Sequence, residues 1–298
     1  RQHLLTITSV VKCALDEAEV SLSDLDGIAV THGPGLAGSL LIGVNSAKGL
    51  ALAYELPLIG VNHLEGHIYA NWLIGGEDPE EAMGFPLLCL IASGGHTDLI
   101  LMEGHGRFVL LGRTRDDAAG EAFDKGARLL GLGFPGGPAI QRVASVGSGL
   151  EPNFPRPKLK NTLDFSFSGL KTSLLRRVQE RGWYPPDEVN KPDPIKIANM
   201  ASAYQEALVD SMVSRILEAV AQHEVNGVLL GGGVAANRLL REEVMRTSPV
   251  QVSVPSPELC TDNGAMIGGA GWFHLRHGLR YQLDLDIVPN LSLGQSGC

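Results

Sequence analysis

The sequence predicts an α/β protein built as two lobes, and three observations carry that prediction. Short apolar runs recur along the chain, and most end in a glycine-rich turn that leads into a helical pattern, the order of elements in α/β folds. A chain of 298 residues exceeds what one core ordinarily holds, so two domains of usual size fit better. The composition, 44% hydrophobic and 19% charged with 37 glycines, suits a globular chain with many tight turns and excludes a disordered or fibrous one.

Taken in order, Leu4, Ile7, Val11, Leu15 and Ala18 fall at helical spacing, Ser21 to Asp26 break the pattern, and Gly27-Ile28-Ala29-Val30 reads as a strand. The turn Thr31-His32-Gly33-Pro34-Gly35 follows. A helix over 40–54 comes next, and its Gly43, Ala47, Gly49 and Ala51 predict a close-packed face. Residues 57–61 form a second strand, which delivers the chain to Asn62-His63-Leu64-Glu65-Gly66-His67. The acidic, turn-rich stretch 75–84, with Glu77, Asp78, Glu80 and Glu81, marks the boundary between lobes.

Apolar runs at 85–92, 97–102 and 107–111 begin a new sheet, the first two joined as a hairpin through Ser93-Gly94-Gly95-His96. Asp116 is expected to open a helix reaching about Leu132, with Asp116 and Asp117 suiting the helix dipole. Asp124 sits too deep for that role, which leaves another polar contact or solvation. A further helix spans roughly 139–146 after Gly136-Gly137-Pro138, and the Pro- and Lys-rich stretch 151–160 reads as an exposed excursion. Between 151 and 182, Arg156, Lys158, Lys160, Lys171, Arg176, Arg177 and Arg181 outnumber Glu151, Asp164 and Glu180. That stretch reads either as a face that tracks a phosphate backbone or as an ordinary solvated helix face. A proline-rich linker at 183–194 leads into a long helix over 195–223. Gly227-Val228-Leu229-Leu230 is then a buried strand running into Gly231-Gly232-Gly233 and a helix through Met245; a strand at 250–254 and a helix over 265–277 follow.

Cys13, Cys89, Cys260 and Cys298 show no paired spacing, which fits a reduced, cytoplasmic setting better than a disulfide framework or a Cys-based zinc site. Lys and Arg total 24 against 33 Asp and Glu, a net charge of −9, so nucleic acid must be met by a local patch or through a partner. No apolar run approaches a membrane span, and the opening Arg1-Gln2-His3-Leu4-Leu5 leads into an amphipathic helix rather than a secretory leader. With no Met and no strand before that helix, the chain is expected to lack its true N-terminus.

His63 and His67 are four residues apart. On a helix their Cβ atoms lie roughly 5–6 Å apart on one face, close enough to share a metal at about 2.0–2.1 Å. Alone, the segment reads equally well as an ordinary helix with two capping or surface histidines. Glu65 sits about 200° round the helix from His63, away from any metal held by the pair, unlike the carboxylate of a His-Glu-x-x-His protease helix. The glycine turns, alone, read as plain tight turns before they read as phosphate-binding ones.

In order, however, His63-Leu64-Glu65-Gly66-His67, Ser93-Gly94-Gly95-His96-Thr97, the run from Asp116 to Lys125, Pro135-Gly136-Gly137-Pro138, the run from Phe165 to Thr172, the run from Gly231 to Asn237 and the run from Cys260 to Met266 closely resemble the motifs of one family. That family is the tRNA threonylcarbamoyl transferases, bacterial TsaD and its archaeal and eukaryotic relatives, formerly classed as glycoprotein endopeptidases. The resemblance covers essentially the whole chain.

The resemblance implies a two-lobed actin and sugar-kinase-like (ASKHA) fold with nucleotide and metal in the cleft between lobes. Its domains would be 1–80, 81–260 with a helical insertion about 139–200, and 261–298 returning to the metal site and the first lobe. It implies His63, His67 and Asp262 as ligands of one divalent metal, iron(II) in first place and zinc as the alternative. It also implies nucleotide or substrate contacts at Ile91, Ala92, Ser93, Gly94, Gly95, Asp124, Gly137 and Asn237. Gly94 and Gly95 would lie against phosphate, Asp124 would accept from ribose hydroxyls, and Asn237 with the 231–233 turn would flank adenine. The implied reaction moves a threonylcarbamoyl group from threonylcarbamoyl-adenylate to N6 of the adenosine next to the anticodon. Its implied partners are tRNA, a catalytically silent paralogue of the TsaB type and a small ATPase of the TsaE type, with no membrane.

His32, His96 and Glu65 are candidates for a general base by their place in the motifs. The chain departs from the family in two respects. It does not include the opening strand, with its Glu-Thr-Ser-Cys-Asp-type loop, and the hairpin, and Gln141 stands where many relatives have an acid. Ile91 stands where archaeal relatives have a tyrosine ligand, which places the chain with the bacterial branch. Two rival readings are a metalloprotease, which needs a carboxylate base beside the metal, and a non-enzymatic ATP-binding scaffold, which would lack metal ligands.

Overall fold

The computed structural model describes residues 2–73, 79–148, 153–156, 158–185 and 192–294. The acidic stretch at 75–78, residues 151, 152 and 157 of the expected excursion, and linker positions 186–191 lie outside the described residues. The chain divides into two compact units, one formed by residues up to 73 with those from 263 onward, the other by residues 74–262.

The first unit runs α1 (Gln2–Glu17), β1 (Ile28–Gly33), α2 (Ala37–Tyr54), β2 (Leu58–Asn62) and α3 (His63–Tyr69). β1 and β2 pair in parallel, with Ile28 opposite Leu58 and Thr31 opposite Val61. Every residue of β2 is buried, which accounts for its reading as a continuous apolar run rather than an alternating one. Of the small residues expected to form a close-packed face on α2, Ala47 and Ala51 turn inward and pack with Val44, Leu58 and Leu285, whereas Gly43 is half-buried and Gly49 is exposed.

The second unit continues with α4 (Pro79–Met83), β3 (Leu87–Ala92), β4 (Thr97–Gly104), β5 (Arg107–Arg113), α5 (Ala119–Leu129), α6 (Gly136–Ala144), α7 (Ser168–Glu180), α8 (Pro194–Gln222), β6 (Gly227–Gly231), α9 (Arg238–Thr247), β7 (Gln251–Ser253) and α10 (Pro257–Cys260). α11 (Gly264–Arg276) then returns to the first unit. The five strands lie in the order β5-β4-β3-β6-β7. β3 pairs antiparallel with β4 as the expected hairpin and parallel with β6, so Cys89 sits between Ile100 and Leu229. α8 starts where its chemistry dictates, with Asp193 accepting from Ile195 N at 2.9 Å as N-cap and Pro194 in the first turn. Its apolar side, Met200, Ala203, Ala207, Met212 and Ile216, is buried against the sheet's core together with Phe123, Ile140 and Phe167. The Tyr204 hydroxyl, inside that core, donates to Ala122 O at 2.9 Å. No helix among the described residues is long and apolar enough to cross a membrane.

Three expectations change. The helix expected to open at Asp116 begins at Ala119, and its first N–H is capped from another strand, by Thr97 Oγ1 accepting from Ala119 N at 2.8 Å. Asp116 and Asp117 precede the helix and tie distant segments together, because a short carboxylate bonds backbone and hydroxyls more readily than it extends a helix. Asp116 accepts from Ser166 Oγ at 2.6 Å, Phe167 N at 2.8 Å, Ser168 Oγ at 2.8 Å and Ser168 N at 3.2 Å. Asp117 accepts from Lys125 Nζ at 2.7 Å and Lys171 Nζ at 2.8 Å.

The excursion at 151–160 is anchored rather than wholly exposed. Phe154 is buried, 5.5 Å from the ring of Tyr204, with the Arg177 guanidinium 4.2 Å from its own ring centroid. The basic stretch is also largely matched by acids: Arg156 with Asp210 at 2.6 Å, Lys158 with Glu218 at 3.2 Å, Lys171 with Asp117 at 2.8 Å and Arg176 with Glu180 at 3.7 Å. Two of those acids sit on α8, far along the chain, so a local charge count overstates the positive field of this segment.

The Asp116 cluster makes stability depend on acid. Partial burial pushes its carboxyl up, but the bonds from Ser166, Phe167 and Ser168 outweigh that and hold it below the ordinary carboxylate range. A depressed folded-state value means that the contribution is present above the unfolded value of about 3.9 and is lost as pH falls through the folded value. Asp116→Ala is therefore expected to lower the melting temperature at pH 7 by several degrees, a loss of about 1–2 kcal/mol. Thermal melts across pH should show the gap between variant and parent closing below about pH 4. A gap that stays constant into that range would remove the charge from the argument.

Candidate functional site

Two histidines and one aspartate meet at one place. β2 ends at Asn62, whose side-chain oxygen accepts from Leu64 N at 2.9 Å and so caps α3 at the residue before His63. α11 starts in the same manner, with Asn263 accepting from Met266 N at 2.8 Å directly after Asp262. One ligand atom from each of His63, His67 and Asp262 lies within 4.8 Å of the others. The imidazole rings of His63 and His67 stand edge to face with centroids 4.9 Å apart. His67 is fully buried, His63 partly so, and Asp262 is exposed. Two imidazoles and a carboxylate form a donor set that suits a divalent transition metal, and three protein donors leave coordination positions for substrate or water.

Glu65, between the histidines in sequence, faces elsewhere. It is buried, and its Oε1 lies 2.7 Å from Nε2 of His274 near the end of α11. Burial works to depress His274, but the bond to Glu65 outweighs it and holds the imidazole above its ordinary range. A carboxylate committed in this way leaves no base beside the donor set from this helix, which removes the feature a metalloprotease would need. His32 is also buried, 5.7 Å from the ring of Tyr281, and burial pushes it below the ordinary imidazole range. Of the three candidates for a base, His96 alone stands in an open turn, between the exposed Gly95 and the buried Thr97.

The second unit contains a cavity of about 460 Å³. Gly94, Asp124, Gly137 and Asn237 line it, joined by Phe123, Gln141, Gly233 and Thr261. Its floor depends on close backbone approach. A Cβ on Gly120 would meet Ser93 O at 2.6 Å, so the start of α5 rests directly on the β3–β4 turn. Gly232, with φ at +85°, lets the chain leaving β6 turn across Ala92 O. On the open side, nothing stands within 4 Å of a Cβ placed on the lining residues Gly94, Gly137 or Gly233, which leaves bare backbone toward the space.

The residues expected from sequence to contact nucleotide divide into three sets. Gly94, Asp124, Gly137 and Asn237 line the cavity. Ile91 and Ala92 are buried within β3, and Ser93 holds the turn, its carbonyl accepting from Gly120 N at 3.0 Å and its Oγ from His96 N at 3.2 Å. Gly95 lies exposed on that turn. Asp124 accepts from Gly136 N at 2.7 Å through Oδ1, which fixes α6 against α5. Asn237 caps α9 by accepting from Leu240 N at 3.1 Å, and its Nδ2 donates to the buried Gln205 at 3.0 Å. Gln141 accepts from Arg238 N at 2.7 Å. Gln205 and His274 escaped the sequence reading, and Thr261 fell in a family motif without a role of its own. Gln205 and His274 are single polar residues on helices, and only tertiary contact shows what they meet.

Comparison with known proteins bears on the chain as a whole. The family model described as TsaD, tRNA N6-adenosine threonylcarbamoyltransferase, matches residues 1–269. A protein of that name from Thermomicrobium roseum is 51% identical over 306 residues, covering 98% of this chain and 84% of its own length. Proteins of that name from Dehalococcoides mccartyi, strain BAV1, and Symbiobacterium thermophilum are each 50% identical, covering 98% and 100% of this chain and 85% and 84% of their own lengths. Among solved structures, full-length HypF in its phosphate- and nucleotide-bound form aligns with a TM-score of 0.61 at 14% identity, over 91% of this chain and 41% of HypF. HypF from T. kodakarensis aligns at 0.54 and 15% identity, over 79% of this chain and 39% of its own. At such identities the likeness is one of fold, the α/β actin and sugar-kinase-like class. With two buried-core α/β units, a two-histidine, one-carboxylate donor set and relatives half identical along nearly its full length, the chain belongs to the TsaD family of tRNA N6-adenosine threonylcarbamoyltransferases.

Proposed function

We propose that the threonylcarbamoyl donor is threonylcarbamoyl-adenylate, that its AMP part occupies the cavity of the second unit, and that one divalent metal sits on His63, His67 and Asp262. The observation that carries this reading is the continuity of the chain between the two features. Thr261 lines the cavity, and the next residue, Asp262, completes the donor set. Iron(II) is the first choice of metal, because two histidines and a carboxylate with open positions suit it, and zinc is the alternative. When bound, the ion supplies Lewis-acid polarisation and a template for substrate oxygens.

The transfer forms a bond from adenosine N6 to the carbamoyl carbon and breaks the bond from that carbon to AMP oxygen. The N6 proton leaves and AMP departs. Adenine N6 is a weak nucleophile, so positioning and electrostatic stabilisation supply most of the acceleration. In this reading the bare backbone at Gly94, Gly95 and Gly137 faces phosphate, and the second oxygen of Asp124 accepts from ribose hydroxyls. Asn237 holds the wall beside adenine through its bonds to Leu240 and Gln205, while Ile91, Ala92 and Ser93 set the turn that carries Gly94. A chain of net charge −9 needs help with tRNA, and the proposed helpers are a silent paralogue of the TsaB type and a small ATPase of the TsaE type, in the cytoplasm.

The test is a transfer assay. The protein, both helpers, threonylcarbamoyl-adenylate and unmodified tRNA are incubated, and the tRNA is digested to nucleosides for mass spectrometry. Threonylcarbamoyladenosine is the expected product. Its absence while another family transferase works in the same mixture would overturn the donor assignment for this chain.

A further inference from the structure

We infer that the buried Glu65–His274 pair is a positioning device for the metal site, locking α3 against α11 so that the histidine pair and Asp262 converge; this rests on the metal reading proposed above. The two histidine donors stand on α3, and the aspartate is the residue directly before Asn263, the N-cap of α11. Convergence of the three therefore depends on how one short helix lies against one longer one. Apolar contact alone fixes that poorly, since packed side chains tolerate small sliding.

Three contacts among the described residues bear on the relation between these helices. Gly66, midway between the donors, has no side chain, and a Cβ there would meet Ile267 Cδ1 at 2.7 Å, so the bare backbone of α3 rests on the Ile267 and Met266 side chains of α11. Tyr69 packs on Phe273 with ring centroids 4.7 Å apart. Glu65 bonds His274 at 2.7 Å, with both side chains largely excluded from solvent. Only the last of these is directional. A carboxylate–imidazole bond in a dry setting holds both rotation of α3 about its axis and sliding along α11, the two motions that would carry His63 and His67 away from Asp262. Glu65 is one turn or less from each donor, so a rotation of α3 moves all three side chains together. The place of the pair resembles that of outer-shell carboxylates around metals in general, whose removal typically costs about 10–100-fold in metal affinity. Here the outer group acts on the helix rather than on a ligand.

The test separates positioning from folding. Glu65→Gln keeps an oxygen able to accept from His274 and is expected to hold zinc and iron(II) within about threefold of the parent, by competition with a chromophoric chelator. In the double variant Glu65→Leu with His274→Leu, apolar contact replaces the pair, a change that is often neutral for stability. That variant is expected to melt near the parent temperature without metal and to bind metal at least about tenfold more weakly. Parent-like metal affinity in the double variant overturns the inference, because packing alone would then set the geometry. Metal affinity in Glu65→Gln as low as in the double variant also overturns it. His63→Ala is measured alongside. If that variant binds metal as the parent does, the donor assignment itself fails, which is a different result from failure of the pair.

Discussion

His67→Ala and Asp262→Ala are each expected to weaken metal binding by more than about a hundredfold, beyond what loss of an outer-shell partner costs, and to abolish threonylcarbamoyl transfer in step. The two variants suit one another because their surroundings differ. His67 is fully buried, so its truncation also leaves a cavity and is expected to lower stability by a few kcal/mol, on the order of other large-to-small core changes. Asp262 is exposed, and its truncation leaves the fold nearly as stable as before. A shared loss of metal across such different stability effects points to coordination rather than damage. Elemental analysis of purified protein and thermal melts read the two effects separately. Nucleotide affinity, measured by calorimetry with AMP, should survive in Asp262→Ala, since the cavity is lined by other residues. Unchanged metal content in both variants would sink the ligand assignment.

How much of this was legible in the sequence depends on whether a residue acts through local or distant contacts. Strands such as β3 and β6, buried on both faces, declared themselves as apolar runs, and the His63–His67 spacing declared a shared face. Asp262 was legible only through family resemblance, because nothing in its local sequence says that α11 returns to α3. Asp116 misled for a related reason. Acids just before a helix pattern suit the helix dipole, yet here the partners at Ser166, Phe167 and Ser168 lie fifty residues on and outbid the helix. The basic stretch misled through the same blindness, its neutralising acids Asp210 and Glu218 sitting on α8. Glu65 was expected to face away from the metal pair, and the sequence held no sign that His274 would be waiting for it.

Gly136 and Gly137 are adjacent, and their alanine variants are expected to weaken nucleotide binding by different routes, the first with lost stability and the second without it. A Cβ on Gly136 would run into the backbone of α5, against Asp124 Cα and against Phe123 O at 2.6 Å, atoms that cannot swing aside. Gly136→Ala must therefore push α6 from α5 and strain the bond from Gly136 N to Asp124, at a cost of about 1–3 kcal/mol, with nucleotide affinity falling because Asp124 and the α6 terminus move. A Cβ on Gly137 meets nothing within 4 Å and points into open space beside the cavity. Gly137 lies in the first turn of α6, where alanine is the better helix former, so Gly137→Ala should melt at or slightly above the parent temperature. If the AMP part of the donor lies where proposed, the added methyl takes its room, and AMP affinity falls by about tenfold, a penalty near 1.4 kcal/mol. Calorimetry beside thermal melting distinguishes these outcomes. Parent-like AMP binding by a stable Gly137→Ala would take the nucleotide off that wall of the cavity, whereas weakened binding without lost stability ties the ligand to bare backbone at the start of α6.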